Sequence, residues 1–449
     1  MNKWIRRIII PILALLILSF VTKTAHAQEA VQGTADETVF SAVDTVWVLI
    51  SGFLVFFMQC GFGFLEAGFV RSKNVVNIMA ENIMDTTATT VGFIIAGFGL
   101  MFSEGNAFIG SKWFFLQGMP DAYPGLTIPI LAFFFFQFAF SAASSTIASG
   151  LMAERTDYRA DLLYSFLSGL LIYPIFGHWV WGGGWLAQLG YIDFAGSSVV
   201  HMTGAMIGLA GTLVLGKRKD KVFGKTIKGH NLPLAALGTF ILWLGWFGFN
   251  PGSTLAADPK PISLIVVTTD FAATMGAIIA MFLSYMYTKK WDAGMAMNGC
   301  LGGLVAITAP CAFVTPMGAL VIGAIAGAVT YYGVLLMEKI RIDDPVGAFA
   351  VHGLSGAFGV LAVGIWGVDG LGLLHGGNFN QLGVQALGVA ANVLFVFPVA
   401  FLLFLTIKKT FGLRVSPKVE AEGIDLEFHG IESYPEFVGS SFFTPGKEA

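Results

Sequence analysis

Eleven apolar runs, each long enough to cross a bilayer, follow one another with short connections at about 39–69, 75–102, 126–152, 161–178, 197–216, 232–250, 262–287, 293–311, 315–337, 346–367 and 383–407. Hydrocarbon offers the backbone no hydrogen bonds, so runs of this kind cross a membrane as helices. With 55% hydrophobic and 12% charged residues and a mean hydropathy of +0.75, the chain is excluded from the water-soluble class. The fold class expected is an all-α polytopic membrane protein with eleven transmembrane helices. A net charge of −3 leaves no basic face for a run of phosphates and argues against nucleic acid as a partner.

Basic residues follow the odd-numbered runs: Arg71 and Lys73; Arg155 and Arg159; Lys217 to Lys228; Lys289 and Lys290; Lys339 and Arg341; Lys408, Lys409 and Arg414. Even-numbered connections hold almost none apart from Lys112 and Lys260. Positive-inside bias then puts the N-terminus outside and the C-terminus in the cytoplasm, with the protein in the plasma (inner) membrane. The first segment agrees with this. Lys3, Arg6 and Arg7 precede an apolar stretch from Ile8 to Val21, and Ala25-His26-Ala27 reads as a signal-peptidase site. Residues 1–27 are expected to be a signal peptide; an uncleaved first span is the competing reading. Cys60, Cys300 and Cys311 lie in apolar runs without ligand spacing, so neither a disulfide nor a metal is implied.

One pattern occurs twice. Asp193-Phe194-Ala195-Gly196-Ser197-Ser198-Val199-Val200-His201 and Asp344-Pro345-Val346-Gly347-Ala348-Phe349-Ala350-Val351-His352 each set an acid eight residues before a histidine that enters an apolar, glycine-rich run. Ionisable groups at such depth are costly and usually functional. By the charge pattern the fifth run goes inward and the tenth outward. Each histidine then lies about 12 Å inside its own helix entrance, at about 1.5 Å per residue. In a hydrocarbon core of about 30 Å, that brings both imidazoles near the midplane as a buried pair. Runs one to five (39–216) and six to ten (232–367) read as inverted repeats, with the eleventh (383–407) outside the duplicated core and 408–449 as a cytoplasmic tail.

Two readings stand for most other candidates. Asp193 and Asp344 sit at helix starts, where a carboxylate caps backbone N–H groups; capping is favoured over solute contact, and Asp193 can also lend its field to a cation waiting at the outer mouth. Trp179, Trp181 and Trp185 after the fourth run, and Trp243, Trp246, Phe247 and Phe249 in the sixth, form either an interfacial belt or a cation–π cage to which Ser253 adds a hydroxyl. The run Phe133 to Phe136, with Phe138 and Phe140, is core by default, with one or two rings able to gate a pore. Asn77, Glu81 and Asp85 share one helix face. Glu66 is five residues from Arg71, and pairing with neighbouring helices is the expectation for these acids, none of which is placed in the transport site.

On Gly182-Gly183-Gly184, Asp193 to His201, Gly245 to Ser253, Asp343 to His352 and Phe411 to Val415, the chain resembles the ammonium transporter (Amt/Mep/Rh) family. That resemblance implies inverted five-helix halves plus one helix, a homotrimer with one pore per subunit, and ammonium, ammonia or methylammonium as substrate. It further implies an outer ammonium site at Trp181 and Ser253, a paired-ring gate at Phe140 and Phe249, twin histidines at His201 and His352, and Asp193 near the recruitment site. No cofactor is implied. The tail, with Gly412, Arg414, Glu422, Gly423 and Asp425, fits relatives in which it packs across subunits and couples to a PII-type regulator. The segment Phe64-Leu65-Glu66-Ala67-Gly68 departs from many bacterial members, which carry an aromatic and then glycines there. Two other functions compete, an ammonium sensor with little flux and an Rh-like neutral gas channel. An intramembrane hydrolase ranks last, for want of a His-Glu-x-x-His motif, a nucleophile elbow or a carboxylate pair.

Overall fold

The computed structural model describes residues 39–437. The expected signal peptide and its cleavage point lie outside the described residues. Helices follow in the order α1 (Ala42–Phe69), α2 (Ser72–Phe102), α3 (Ile130–Met152), α4 (Tyr158–Gln188, opened at 181–184), α5 (Ser197–Leu215), α6 (Leu232–Gly252), α7 (Pro259–Thr288), α8 (Ala293–Thr308), α9 (Pro316–Lys339), α10 (Phe349–Trp366) and α11 (Phe379–Thr410). Two short helices, α12 (Pro417–Glu422) and α13 (Ile424–His429), follow in the tail. Among the described residues there is no named strand, only three isolated bridges.

Many starts are written into the sequence as polar caps. Asn231 accepts from Leu234 N, Asp292 from Met295 N, and Thr315 from Gly318 N ahead of Pro316, each satisfying an orphan donor of the first turn. Among the described residues ten helices are long and apolar enough to cross a bilayer; α8, with 16 residues, is shorter than the about 20 that a span needs. Length and composition therefore establish ten of the eleven expected spans. The eighth was expected to run to 311, but its end is diverted. Thr308 and Ala309 carbonyls accept from Ala195 N and Phe194 N, both at 3.2 Å, while Ala309 N donates to Ser197 Oγ at 2.7 Å.

Corresponding helices of the two halves run antiparallel. Along α1 and α6, Gly68 lies against Ala235, Gly61 against Gly238 and Leu242, and Ser51 against Gly248 and Gly252. A Cβ on Gly68 would sit 2.4 Å from Ala235 N, so only glycine admits this approach. Along α5 and α10, Gly353 meets Ala205 while Gly356 meets Ser197.

One end of the bundle is tied by charge. Arg218 donates to Asp343 at 2.7–3.0 Å and to Glu154 at 2.5 Å, and Arg71 donates to Glu154 at 2.9 Å and to Asp220. Fully buried Arg155 ends on four carbonyls, those of Leu151, Ala153, Gly216 and Asp343. The tail docks at this end within its own chain. Asp425 accepts from Val76 N and Asn77 N at 3.0 and 2.9 Å, and Lys73 donates to the Glu420 carbonyl at 2.7 Å.

Candidate functional site

Both histidines sit on the same unusual backbone. Their helices open with a π-helical stretch, Ser197–Met202 in α5 and Phe349–Leu354 in α10, a geometry that concentrates at functional sites. Ahead of each stretch the acid folds back over it. Asp193 accepts from Gly196, Ser197, Ser198 and Val199 N–H at 2.7–3.0 Å and from Ser198 Oγ at 2.7 Å. Asp344 accepts from Gly347, Ala348 and Phe349 N–H at 2.8–3.1 Å. The turn needs a positive φ three residues after each acid, +113° at Gly196 and +79° at Gly347, where glycine carries no Cβ penalty. Both carboxyls lie above their ordinary range because burial raises them, against the opposing pull of these donors. With five donors on it, Asp193 has no lone pair left for a solute.

The rings meet. His201 Nδ1 and His352 Nδ1 are 3.2 Å apart, with ring centroids 5.2 Å apart and near-parallel planes. At that distance one nitrogen carries the proton and the other accepts. His201 lies fully buried against Trp246 and Phe249, with centroids at 5.1 and 5.3 Å, and its Nε2 has no partner. Phe249 in turn stacks on Phe140 at 4.0 Å. Beyond Phe140 opens a cavity of about 320 Å³ lined by Trp181, Ser253, Phe136, Gln137, Phe194 and Leu255, among others. Trp181 stands edge-on to Phe140 at 6.1 Å, held by an indole N–H that donates to the Asp193 carbonyl at 2.8 Å. Ser253 Oγ donates to the Phe249 carbonyl at 2.8 Å, leaving its lone pairs to accept.

The structure thus brings Trp181, Ser253, Phe140, Phe249, His201 and His352 into one line. Trp246 belongs deeper than the outer cage or belt expected of it. It is fully buried, its indole donates to Thr308 Oγ1 at 3.0 Å, and its face covers His201. Glu66 pairs with a neighbouring helix, as expected, but not with the nearby Arg71. Arg71 is taken by Glu154 and Asp220, whereas Glu66 accepts from Asn82 Nδ2 at 3.2 Å and lines a chamber with His352. Gln137 was also missed. It is the one amide inside the phenylalanine run, and its buried carbonyl oxygen has no partner beside the Trp181 cavity. Cys60, expected to be buried, is only partly so.

A sequence profile of the Ammonium Transporter Family matches residues 46–434. Ammonium transporter Amt2 of Archaeoglobus fulgidus is 44% identical, covering 95% of both chains. The ammonium transporter of Bacillus subtilis is 37% identical over 88% of this chain and 98% of its own. Among solved structures, a sensor Amt protein superposes with a TM-score of 0.81 at 38% identity, covering 86% of this chain and 98% of that one. Mep2 of Saccharomyces cerevisiae gives 0.78 at 29% identity, covering 84% and 88%.

Proposed function

This chain belongs to the ammonium transporter family, a family of transporters rather than enzymes, and from that premise we propose that it takes up ammonium through the line of residues from Trp181 to His352. Ammonium is recruited in the Trp181 cavity by cation–π attraction, the Ser253 hydroxyl and the Gln137 carbonyl, while Asp193 holds the Trp181 indole through its own carbonyl. Passage between Phe140 and Phe249 strips water, and desolvation disfavours the charged form, so a proton leaves. Ammonia then passes His201 and His352. Potassium has no proton to give and stalls at the dry segment. The observation that carries this reading is the imidazole pair, 3.2 Å apart, immediately behind rings stacked at 4.0 Å.

The same reading puts Trp181 on the outer face of the plasma membrane and the arginine-rich end, with the tail 408–449, in the cytoplasm. It takes 1–27 as a signal peptide, 28–407 as the transporter domain and α8 as the span that completes the eleven. A homotrimer, a PII-type regulator at the tail and surrounding membrane lipid are the partners proposed. Liposomes test the central step. The double variant His201→Ala/His352→Ala is expected to lose ammonium-specific flux, or its selectivity over potassium, by about tenfold or more, a loss of about 1.4 kcal/mol. Unchanged flux and selectivity would sink the proposal. A second reading, ammonium sensing with little flux, is favoured by the likeness to the sensor Amt protein. Currents on a solid-supported membrane with ammonium and methylammonium separate the two readings.

A further inference from the structure

Past His352, away from Trp181, the line of residues opens into a chamber of about 20 Å³. A void of about 10–15 Å³ already holds one water, so the chamber takes a single water or ammonia molecule. Its walls come from Phe62, Ile147, Asn298 and Val346, and its ionisable groups are His352 and Glu66. Phe62 and Glu66 are one turn apart on α1, and the Phe62 ring lies 6.1 Å from that of His352, so the carboxyl follows the imidazole along the same face. Glu66 is 2% exposed. It accepts one amide hydrogen bond, from Asn82, and no ion pair of Glu66 occurs among the described residues. A carboxylate with a single donor and no cation is the arrangement that a passing proton or cation relieves. The other charged groups whose fields reach it are Glu81 and Asp85 on α2. The chamber walls from α3 and α8 contribute only apolar and amide groups.

We infer that Glu66 is the acid of this chamber, receiving the proton relayed through His201 and His352 and giving it to ammonia. In the first step the His352 N–H bond breaks and the proton passes through the molecule in the chamber to a Glu66 oxygen, leaving neutral imidazole and a carboxylic acid. In the second, the O–H bond of Glu66 breaks as the ammonia lone pair takes the proton, giving ammonium and a carboxylate ready for the next turn. Proton and ammonia enter separately and leave as ammonium. This rests on the transport reading above.

Glu66→Gln keeps the size and an acceptor for Asn82 but cannot exchange a proton. In proteoliposomes, ammonium-dependent current is expected to fall on the order of a hundredfold, the usual contribution of a positioned general acid, while neutral ammonia still enters. The second readout is a luminal pH dye: Glu66→Gln should show a larger alkalinisation than the parent protein, because ammonia then arrives without its proton. Should Glu66→Gln not yield intact protein, Glu66→Met, of similar length and with no proton to exchange, carries the test, with the same expected loss of current and ammonia entry preserved. Parental current in either variant overturns the role of Glu66 and leaves the transport reading standing. Flux without current in the parent protein also overturns it. Neither flux nor current in the parent protein overturns both.

Discussion

The two histidine entrances share a backbone and differ in what surrounds it. Each has an acid, a glycine turn and a π-helical stretch carrying the imidazole. Around Asp193 the template is closed: a serine hydroxyl joins four N–H donors, and His201 is packed against Trp246 and Phe249. Around Asp344 it is looser, with three donors, and His352 faces a chamber that holds a carboxyl. The duplicated backbone places two rings in unlike surroundings, and on the transport proposed above that difference supplies a direction.

That contrast can be broken at its acids first. Asp193→Ala removes five acceptor contacts and leaves buried donors unpaired, each costing about 1–3 kcal/mol; the expected result is protein that fails to fold or melts far below the parent in detergent. Asp344→Ala strips three, and its loss of melting temperature should be smaller. Equal losses would mean that the two caps are equivalent. Alanine at the turn glycines sharpens the comparison. Gly196→Ala puts a Cβ 2.7 Å from Val200 Cγ2 and 3.0 Å from the Trp181 ring, and Gly347→Ala puts one 2.7 Å from Asn298 Nδ2. Both add about 1–2 kcal/mol of backbone strain. Ammonium affinity, read from the concentration dependence of current, should suffer in Gly196→Ala and stay near the parent in Gly347→Ala.

At the dry side, Trp181→Leu is expected to weaken apparent ammonium affinity by about 0.5–2 kcal/mol, the range of a cation–π contact. Unaltered affinity and selectivity would return Trp181 to an interfacial role. The smallest effect belongs to the arginine knot, which joins Asp343 of the second half to Arg218 after the first. Burial raises Glu154, but Arg218 and Arg71 outweigh it and hold the carboxyl down at about 2, from an ordinary 4.5. Burial raises Asp343 too, and Arg218 brings it to about 2, from 3.8. Depressed carboxyls contribute stability that is complete above their ordinary values and lost as pH falls through the folded value. Melting temperature should therefore decline from about pH 4.5 towards pH 2, and Arg218→Met should flatten that decline.

The paired entrances were legible because histidine is rare in this chain and the eight-residue spacing repeats. The glycines that make the turns were equally visible, at the third place after each acid, but their meaning needed the positive φ at Gly196 and Gly347. Glu66 finds the expected partner on a neighbouring helix, Asn82, whereas the arginine close to it in sequence is out of reach for a local reason. Five residues separate Glu66 from Arg71, yet α1 stops at Phe69 and Val70 is extended at φ −85°, ψ 172°, which swings Arg71 away to Glu154. The short α8 was hidden because the chain stays apolar past Thr308, while its hydrogen-bonding duty comes from residues more than a hundred positions earlier. Gln137 was masked by its phenylalanine neighbours, since helix periodicity alone does not tell which face meets a cavity.

The widened turns under the two imidazoles make this protein sensitive to length as well as to chemistry. A π turn takes up one residue more than the α-helical pitch around it, so losing a single residue from either stretch, Val200 or Val351 for example, would let the helix rewind. The α-helical segments on either side would keep their mutual register, because the lost residue is the extra one, but the imidazole carried on the rewound stretch would be re-aimed without altering any other side chain along the line. A one-residue indel there should be lethal to transport.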